Sequence, residues 1–564
     1  MYDLLIKNGR VADGSGMPSF IADVGIADGK VADVGKLSGP ARRVIDASDR
    51  VVAPGFIDNH CHFDAQVTWD PLCTYSPQHG VTTVIFGNCS LTLAPTKPDD
   101  REALAMMLSR VEAIPMESLQ EGIPWEWTSF GEYLDFIDQR LGVNAGALVG
   151  HSAVRRWAMG EEAYEREQAT PAEMEEMKGL VRDAIRAGAL GLSFNRNRGH
   201  MDLAGRPIPG IVPPVDELYE LATALRDVGA GIVQCGAAYP LEIRDGFATK
   251  LGEQAQRPVV YNQIVYNSND PDRWKTHLEL VEQRIAEGRQ VYPVINPRPA
   301  AQRFTMRNAQ TFDRMPTWRD VMLGSVEQKA AAFRDPAVRE KLRAESVDGV
   351  DLPTGVLPIS WDRIFITRTL KQRNSSFQGM SVAEMARAQG KEVLDGFLDL
   401  MLDEDLGTGL QNRQSGGDDG VMGKLIASPY TLIGLSDAGA HVVFEAGYGY
   451  STLVLGRWVR EEGALSLEEA VRKLSFMQAS LYGLHDRGLL RPGFAADAVI
   501  FDPETVGAEE PDEVSDLPGG LTRLRQRASG VDYTIVNGEV LLEDGEHTGA
   551  YPGRVVRSRA LAPA

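Results

Sequence analysis

Short apolar runs alternate with amphipathic stretches along most of the chain. The runs are "VVAPGFIDNH", "GVTTVIFGNC", "NAGALVGH", "GALGLSF", "GAGIVQC", "PVVYNQI", "QVYPVIN" and "TLIGLSD", and each reads as a buried strand. Between them lie helical periods. "TPAEMEEMKGLVRDAIRAG" opens with Thr170, Pro171 and Glu173, a capping box with proline in the first turn. "PPVDELYELATALRDVG" and "DPDRWKTHLELVEQRIAEG" share its period and end on glycine. Alternating β and α elements imply parallel strands, and eight such units predict a TIM (β/α)8 barrel.

Two regions depart from a bare barrel. "DLLIKNGRVADGSG" and "IADVGIADGKVADVGK" near the start, and "FAADAVIFDPE" and "YTIVNGEVLLEDGE" near the end, read as short strands with turns. They predict a small β-sandwich built from both termini, residues 1–54 and 486–556. The barrel then takes residues 55–298 and 426–485. Residues 299–425, between the seventh and eighth strands, contain helical "SVEQKAAAFRDPAVREKLRAE" and "SVAEMARAQGKEVLDGFLDLML". They form an inserted subdomain, expected to act as a lid or substrate wall.

Composition narrows the function classes. With 43% hydrophobic and 24% charged residues, the chain has ample core for a globular fold. A formal net charge of −21 argues against nucleic acid, whose phosphates need clustered Lys and Arg. No run reaches the length of a membrane span, and "MYDLLIKNGRVADGSG" lacks the pattern of a signal peptide. Four cysteines make no disulfide framework, which fits a reducing cytoplasm.

In TIM barrels chemistry gathers at the C-terminal strand ends. There the sequence sets His60 and His62 on strand one, Asn88 and Cys89 on strand two, and His151 on strand three. Asn195, Arg196 and His200 follow strand four, Gln234 and Cys235 end strand five, and Asn262 and Gln263 end strand six. Asn296 and Arg298 follow strand seven, and Asp437 ends strand eight with His441 beyond it. The chain has only nine histidines, so this clustering points to chemistry. Barrel closure makes strands one and eight neighbours, which lets His60, His62 and Asp437 converge on a metal. Cys89 reads either as a buried inert thiol or as a further ligand. His151 is a catalytic candidate or a brace for its loop. Arg298 would bind a substrate carboxylate bidentately or make a structural salt bridge. His200, His441, Gln234 and Gln263 are substrate-contact candidates.

These residues resemble the amidohydrolase superfamily, metal-dependent barrels with a first-strand H-x-H, an eighth-strand Asp and a flanking β-sandwich. More narrowly, "GFIDNHCHFDAQ", "HGVTTVIFGNCS", "LVGHSAVR", "GALGLSF", "IGLSDAGAHV" and "LHDRGLLRPGFAADAVIFDP" are similar, in order, to blocks of its D-aminoacylase branch. The resemblance implies that Cys89 is a metal ligand. It departs where that branch carries histidines on strands five and six: here stand Gln234 and Cys235, then Asn262 and Gln263. No lysine ends the fourth run, so a carboxylated bridging lysine is also missing. One metal held by His60, His62, Asp437 and Cys89 is what the resemblance leaves, with a dimer as the expected assembly.

The expected chemistry is hydrolysis of a C–N bond, in an amide or cyclic imide, of a small-molecule substrate. A divalent metal, zinc by the softness of the ligands, would lower the pKa of a water. Asp437 would act as general base and then acid, and the metal or His151 would steady the oxyanion. The alternatives are cleavage of a lactone, ester or other activated carbonyl compound, and a barrel without catalysis that serves as a binding protein.

Overall fold

Eight strands, one in each of the eight apolar runs, pair in parallel in chain order: β1 (Phe56–Asp58), β2 (Val81–Phe86), β3 (Asn144–Gly150), β4 (Gly191–Asn195), β5 (Ile232–Gly236), β6 (Val259–Asn262), β7 (Val291–Ile295) and β8 (Leu432–Ile433). The structure is a computed structural model and describes residues 1–236, 241–266, 270–298, 302–307, 309–312, 315–346, 359–413, 418–443 and 445–558. Ile57, Ile85, Leu148, Ile232, Val260, Val294 and Leu432, from seven of the strands, meet Leu190 at the root of β4 in one buried cluster. A flat sheet could not bring these side chains together, so the sheet curls around them as a barrel does. Beyond β1 and β8 the backbone bridges the remaining gap: Asp437 N–H donates to His60 O at 3.2 Å, and His62 N–H to Ala438 O at 2.8 Å.

The helices pack outside. Pro171–Ala187 starts with the expected capping box, in which Thr170 accepts from Glu173 N–H and the Glu173 side chain returns to the Thr170 backbone. Val215–Val228, Leu241–Ala255 and Arg273–Ala286 connect the strands that follow. Alternation along β5 sorts its residues. Ile232 joins the interior cluster, so Gln234 and Gly236 also face inward, while Val233 and Cys235 belong to the cluster shared with the helices. No described helix is long and apolar enough to cross a membrane. All four cysteines are buried and unbonded to one another.

Strands from both chain ends share one nine-stranded sheet. Val51–Pro54 sits in it between Tyr2–Val11 and Ala498–Phe501, pairing with both. Val531–Val536 and Glu539–Glu543 form a hairpin whose Asn537–Gly538 turn has both residues at positive φ. The first apolar run therefore serves two sheets, Val51–Pro54 the terminal one and Phe56–Asp58 the barrel. Gly55 stands between them because the chain passes so close to β2 that a Cβ there would lie 2.1 Å from Thr82 Oγ1.

Between β7 and β8, the strands Gln302–Phe304, Ile364–Arg368 and Gly409–Asn412 form a separate three-stranded sheet. Helices around it bury their own cluster, including Phe312, Trp318, Phe333 and Phe397. The two helical stretches read as continuous are each divided. Pro336 restarts the first one after Asp335, and Gly390 lies in the gap of the second. Residue 299, the expected start of this insertion, lies outside the described residues.

Candidate metal centre

β1 stops at Asp58, so His60 and His62 lie in the bend beyond it rather than in the strand. Both are buried, at 1% and 2% exposure, with ring centroids 5.3 Å apart and planes at 71°. Asp437 Oδ1 lies 3.5 Å from His60 Nε2 and 3.6 Å from His62 Nε2. Cys89 Sγ lies 3.6 Å from His60 Nε2. One ligand atom from each of His60, His62 and Cys89 falls within 4.8 Å of the others.

Local backbone strain aims these groups. Cys89, Ser90, Asp437 and His441 all have positive φ, which costs a non-glycine residue on the order of 1–3 kcal/mol. The surroundings hold them there. Cys89 N–H donates to Gln234 Oε1 at 3.1 Å, Ser90 N–H donates to Ser193 Oγ at 3.1 Å, and Asn195 Nδ2 donates to Cys89 O at 3.3 Å. Before Asp437, the Ser436 hydroxyl donates to Asp58 Oδ2 at 2.5 Å and accepts from Ala438 N–H at 2.9 Å. Gly439, at φ +84°, lets this loop pass under the first-strand bend, where a Cβ would meet His62 O at 2.7 Å.

The electrostatics favour a positive charge at the centre. Burial pushes the His60 imidazole down to about 3, against the pull of Asp437, leaving it neutral as a metal ligand must be. Burial also opposes charge on His62, but Glu112, Asp437 and Cys89 outweigh it and raise that imidazole well above its ordinary value. For Asp437, burial opposes ionisation, yet His62, His60 and His441 hold the carboxyl well below its usual range. Burial pushes the Cys89 thiol up to about 11, with His62 pulling the other way. Two imidazoles, a carboxylate and a sulfur thus converge here, the donor types that zinc takes. These residues fit a metal.

The other expected site residues surround this convergence or lie beyond it. His151 is buried beyond β3, and its Nε2 lies 3.0 Å from Glu217 Oε1. The Glu217 carboxyl is lowered despite burial by His151 and Arg155, so it is an acceptor only and Nε2 carries the proton. With burial lowering the His151 pKa as well, Nδ1 is left as an acceptor. Of the two expectations for His151, this contact matches the brace for its loop. For Arg298 the structure shows the second of the two expectations, a structural salt bridge. Its guanidinium donates to Ser436 O at 2.9 Å and Ala446 O at 3.2 Å and pairs with Glu445 at 3.0 Å, so it braces the strand-eight loop. Gln234 is fully buried, and its amide is spent on Cys89 N–H and on Asn262 Oδ1, the latter at 3.4 Å. His200 Nδ1 meets Asn195 Nδ2 at 2.8 Å, which links it to the Cys89 loop. His441 Nε2 lies 3.9 Å from Glu112 Oε2. Gln263 is half-buried one residue past β6.

Two carboxylates at the centre escaped the sequence reading. Asp58 is pushed up to about 7 by burial, moderated by Ser436. Glu112 is 2% exposed at the end of the helix Arg101–Val111, with Oε1 3.4 Å from His62 Nδ1. The one sequence signal for Glu112 is a lone acid set between Val111 and "AIP", since a buried carboxylate needs a partner.

Comparison with known proteins gives the family. Residues 43–542 match the Amidohydrolase family. The D-aminoacylase of Alcaligenes xylosoxydans xylosoxydans is 28% identical, over 99% of this chain and 98% of that protein. The N-acyl-D-glutamate deacylase of the same organism is 27% identical, over 99% and 97%. A solved D-aminoacylase structure, described as having a binuclear metal centre with one-metal activation and second-metal attenuation, superposes with a TM-score of 0.69 at 26% identity. It covers 99% of this chain and 100% of its own. The chain therefore belongs to the amidohydrolase family, in its D-aminoacylase-like branch, and is a hydrolase acting on C–N bonds other than peptide bonds.

Proposed function

We propose that this protein removes the acyl group from N-acyl-D-amino acids using a single zinc ion held by His60, His62, Asp437 and Cys89. The observation that carries this reading is the convergence of the four side chains at the closure of β1 and β8. The inward positions of β5 and β6 favour one ion. Gln234 and Asn262 there hold each other, and Gly236 has no side chain. A thiolate in the shell favours zinc over magnesium, and four buried, unbonded cysteines fit a reducing compartment.

A divalent ion in this cage supplies Lewis acidity, which lowers the pKa of a water and polarises the scissile carbonyl. Asp437, ionised and about a quarter exposed (24%), takes the proton of the attacking water and returns it to the leaving amine. Ser436 and Asp58 hold the loop that aims its carboxylate. His151, Arg155 and Glu217 lock the end of β3 and take no part in proton transfer.

A second reading, opening of a cyclic imide or a lactone, is favoured by one observation: Glu445 already neutralises Arg298, and a ring substrate needs no cation for an α-carboxylate. Turnover assays with N-acetyl-D- and N-acetyl-L-amino acids, hydantoins and lactones decide between them. The first reading predicts hydrolysis of the D series over the L. Turnover of rings alone would overturn it.

A further inference from the structure

We propose that Glu112 is a positioning residue of the metal centre, fixing His62 and the His441 loop with one carboxylate. This rests on the metal reading above. Glu112 belongs to no barrel strand and reaches the site from the helix that follows β2. Its two oxygens face different imidazoles, Oε1 toward His62 Nδ1 at 3.4 Å and Oε2 toward His441 Nε2 at 3.9 Å. Its own backbone carbonyl accepts the His441 N–H. One residue thus ties the bend after β1 to the loop after β8, the two segments that carry His62 and Asp437.

The two ligand imidazoles are supported unequally. The Nδ1 atoms of both are buried and make no hydrogen bond, but beside His62 Nδ1 a carboxylate oxygen, Glu112 Oε1, stands 3.4 Å away. A carboxylate at that distance favours the proton on Nδ1, which leaves Nε2 as the ligand lone pair. Burying Glu112 at 2% exposure is costly, and only partners of opposite polarity make it tolerable.

The test is the zinc dissociation constant, by chelator competition on the full-length protein, for wild type, Glu112→Ala and Glu112→Gln, with kcat and KM at saturating zinc. Removing a group that orients a metal-binding histidine typically weakens metal binding about 10- to 100-fold, and that loss is expected for Glu112→Ala, with kcat falling more than KM changes. Glu112→Gln keeps the size and one acceptor but not the charge, and is expected to recover part of the affinity while staying at least about threefold weaker than wild type. If Glu112→Ala does not fold, the Gln variant carries the test. Wild-type zinc affinity in either folded variant overturns the inference while leaving the metal centre intact. If wild type itself takes up no zinc, the metal reading fails and this inference with it.

Discussion

Asp437 is the residue on which the proposed chemistry turns. It has a strained backbone, two imidazoles within 3.6 Å of Oδ1 and a quarter of its side chain open. Asp437→Asn preserves the shape but cannot accept a proton. A positioned general base is typically worth about 10²–10⁴-fold, so kcat on the best substrate is expected to fall by that factor in the folded variant. Full turnover would remove Asp437 from proton transfer. At this scale the sequence placed His60, His62, Cys89 and Asp437 on one barrel face, and the structure brings their ligand atoms together. It could not reveal how Arg298 and Gln234 use their hydrogen-bonding groups. Their partners, Glu445 and Cys89 N–H, lie far off in the chain, and only the folded geometry selects them.

At the scale of elements, the eight strands were legible because strands buried on both faces read as apolar runs. The division of the first run was not, since the need for Gly55 arises from Thr82 on the neighbouring strand. Helix-to-helix locking was likewise hidden. Arg155, fully buried in the middle of the helix His151–Met159, donates to Glu217 Oε1 at 2.8 Å and to the carbonyls of Ala163, Arg166 and Glu167. Glu217 comes from the first turn of Val215–Val228. Glu217→Gln leaves the guanidinium charge buried without its counter-ion, and breaking such a pair costs about 3–5 kcal/mol. Urea unfolding should show a loss of that order. A loss below about 1 kcal/mol, the scale of an exposed pair, would mean that the locking account is wrong.

For the whole molecule, closure of the barrel is what builds the centre. The two backbone bonds that bridge the segments after β1 and β8 involve the residues proposed to hold the metal, Asp437 N–H to His60 O and His62 N–H to Ala438 O. The expectation of a closed barrel and the expectation of a converging H-x-H and Asp are therefore one physical statement. The terminal sheet was legible from its short strands and turns. Its continuity across both chain ends was not, because strand order depends on pairing between distant residues. The measurement that tests the central claim most directly is zinc content against activity. Protein stripped by chelator would be titrated with zinc while bound metal and amide hydrolysis are followed. The account predicts no activity in the stripped protein, full activity at about one zinc per chain, and neither binding nor rescue in His60→Ala/His62→Ala. Activity that survives metal removal, or that requires a second equivalent, would contradict it.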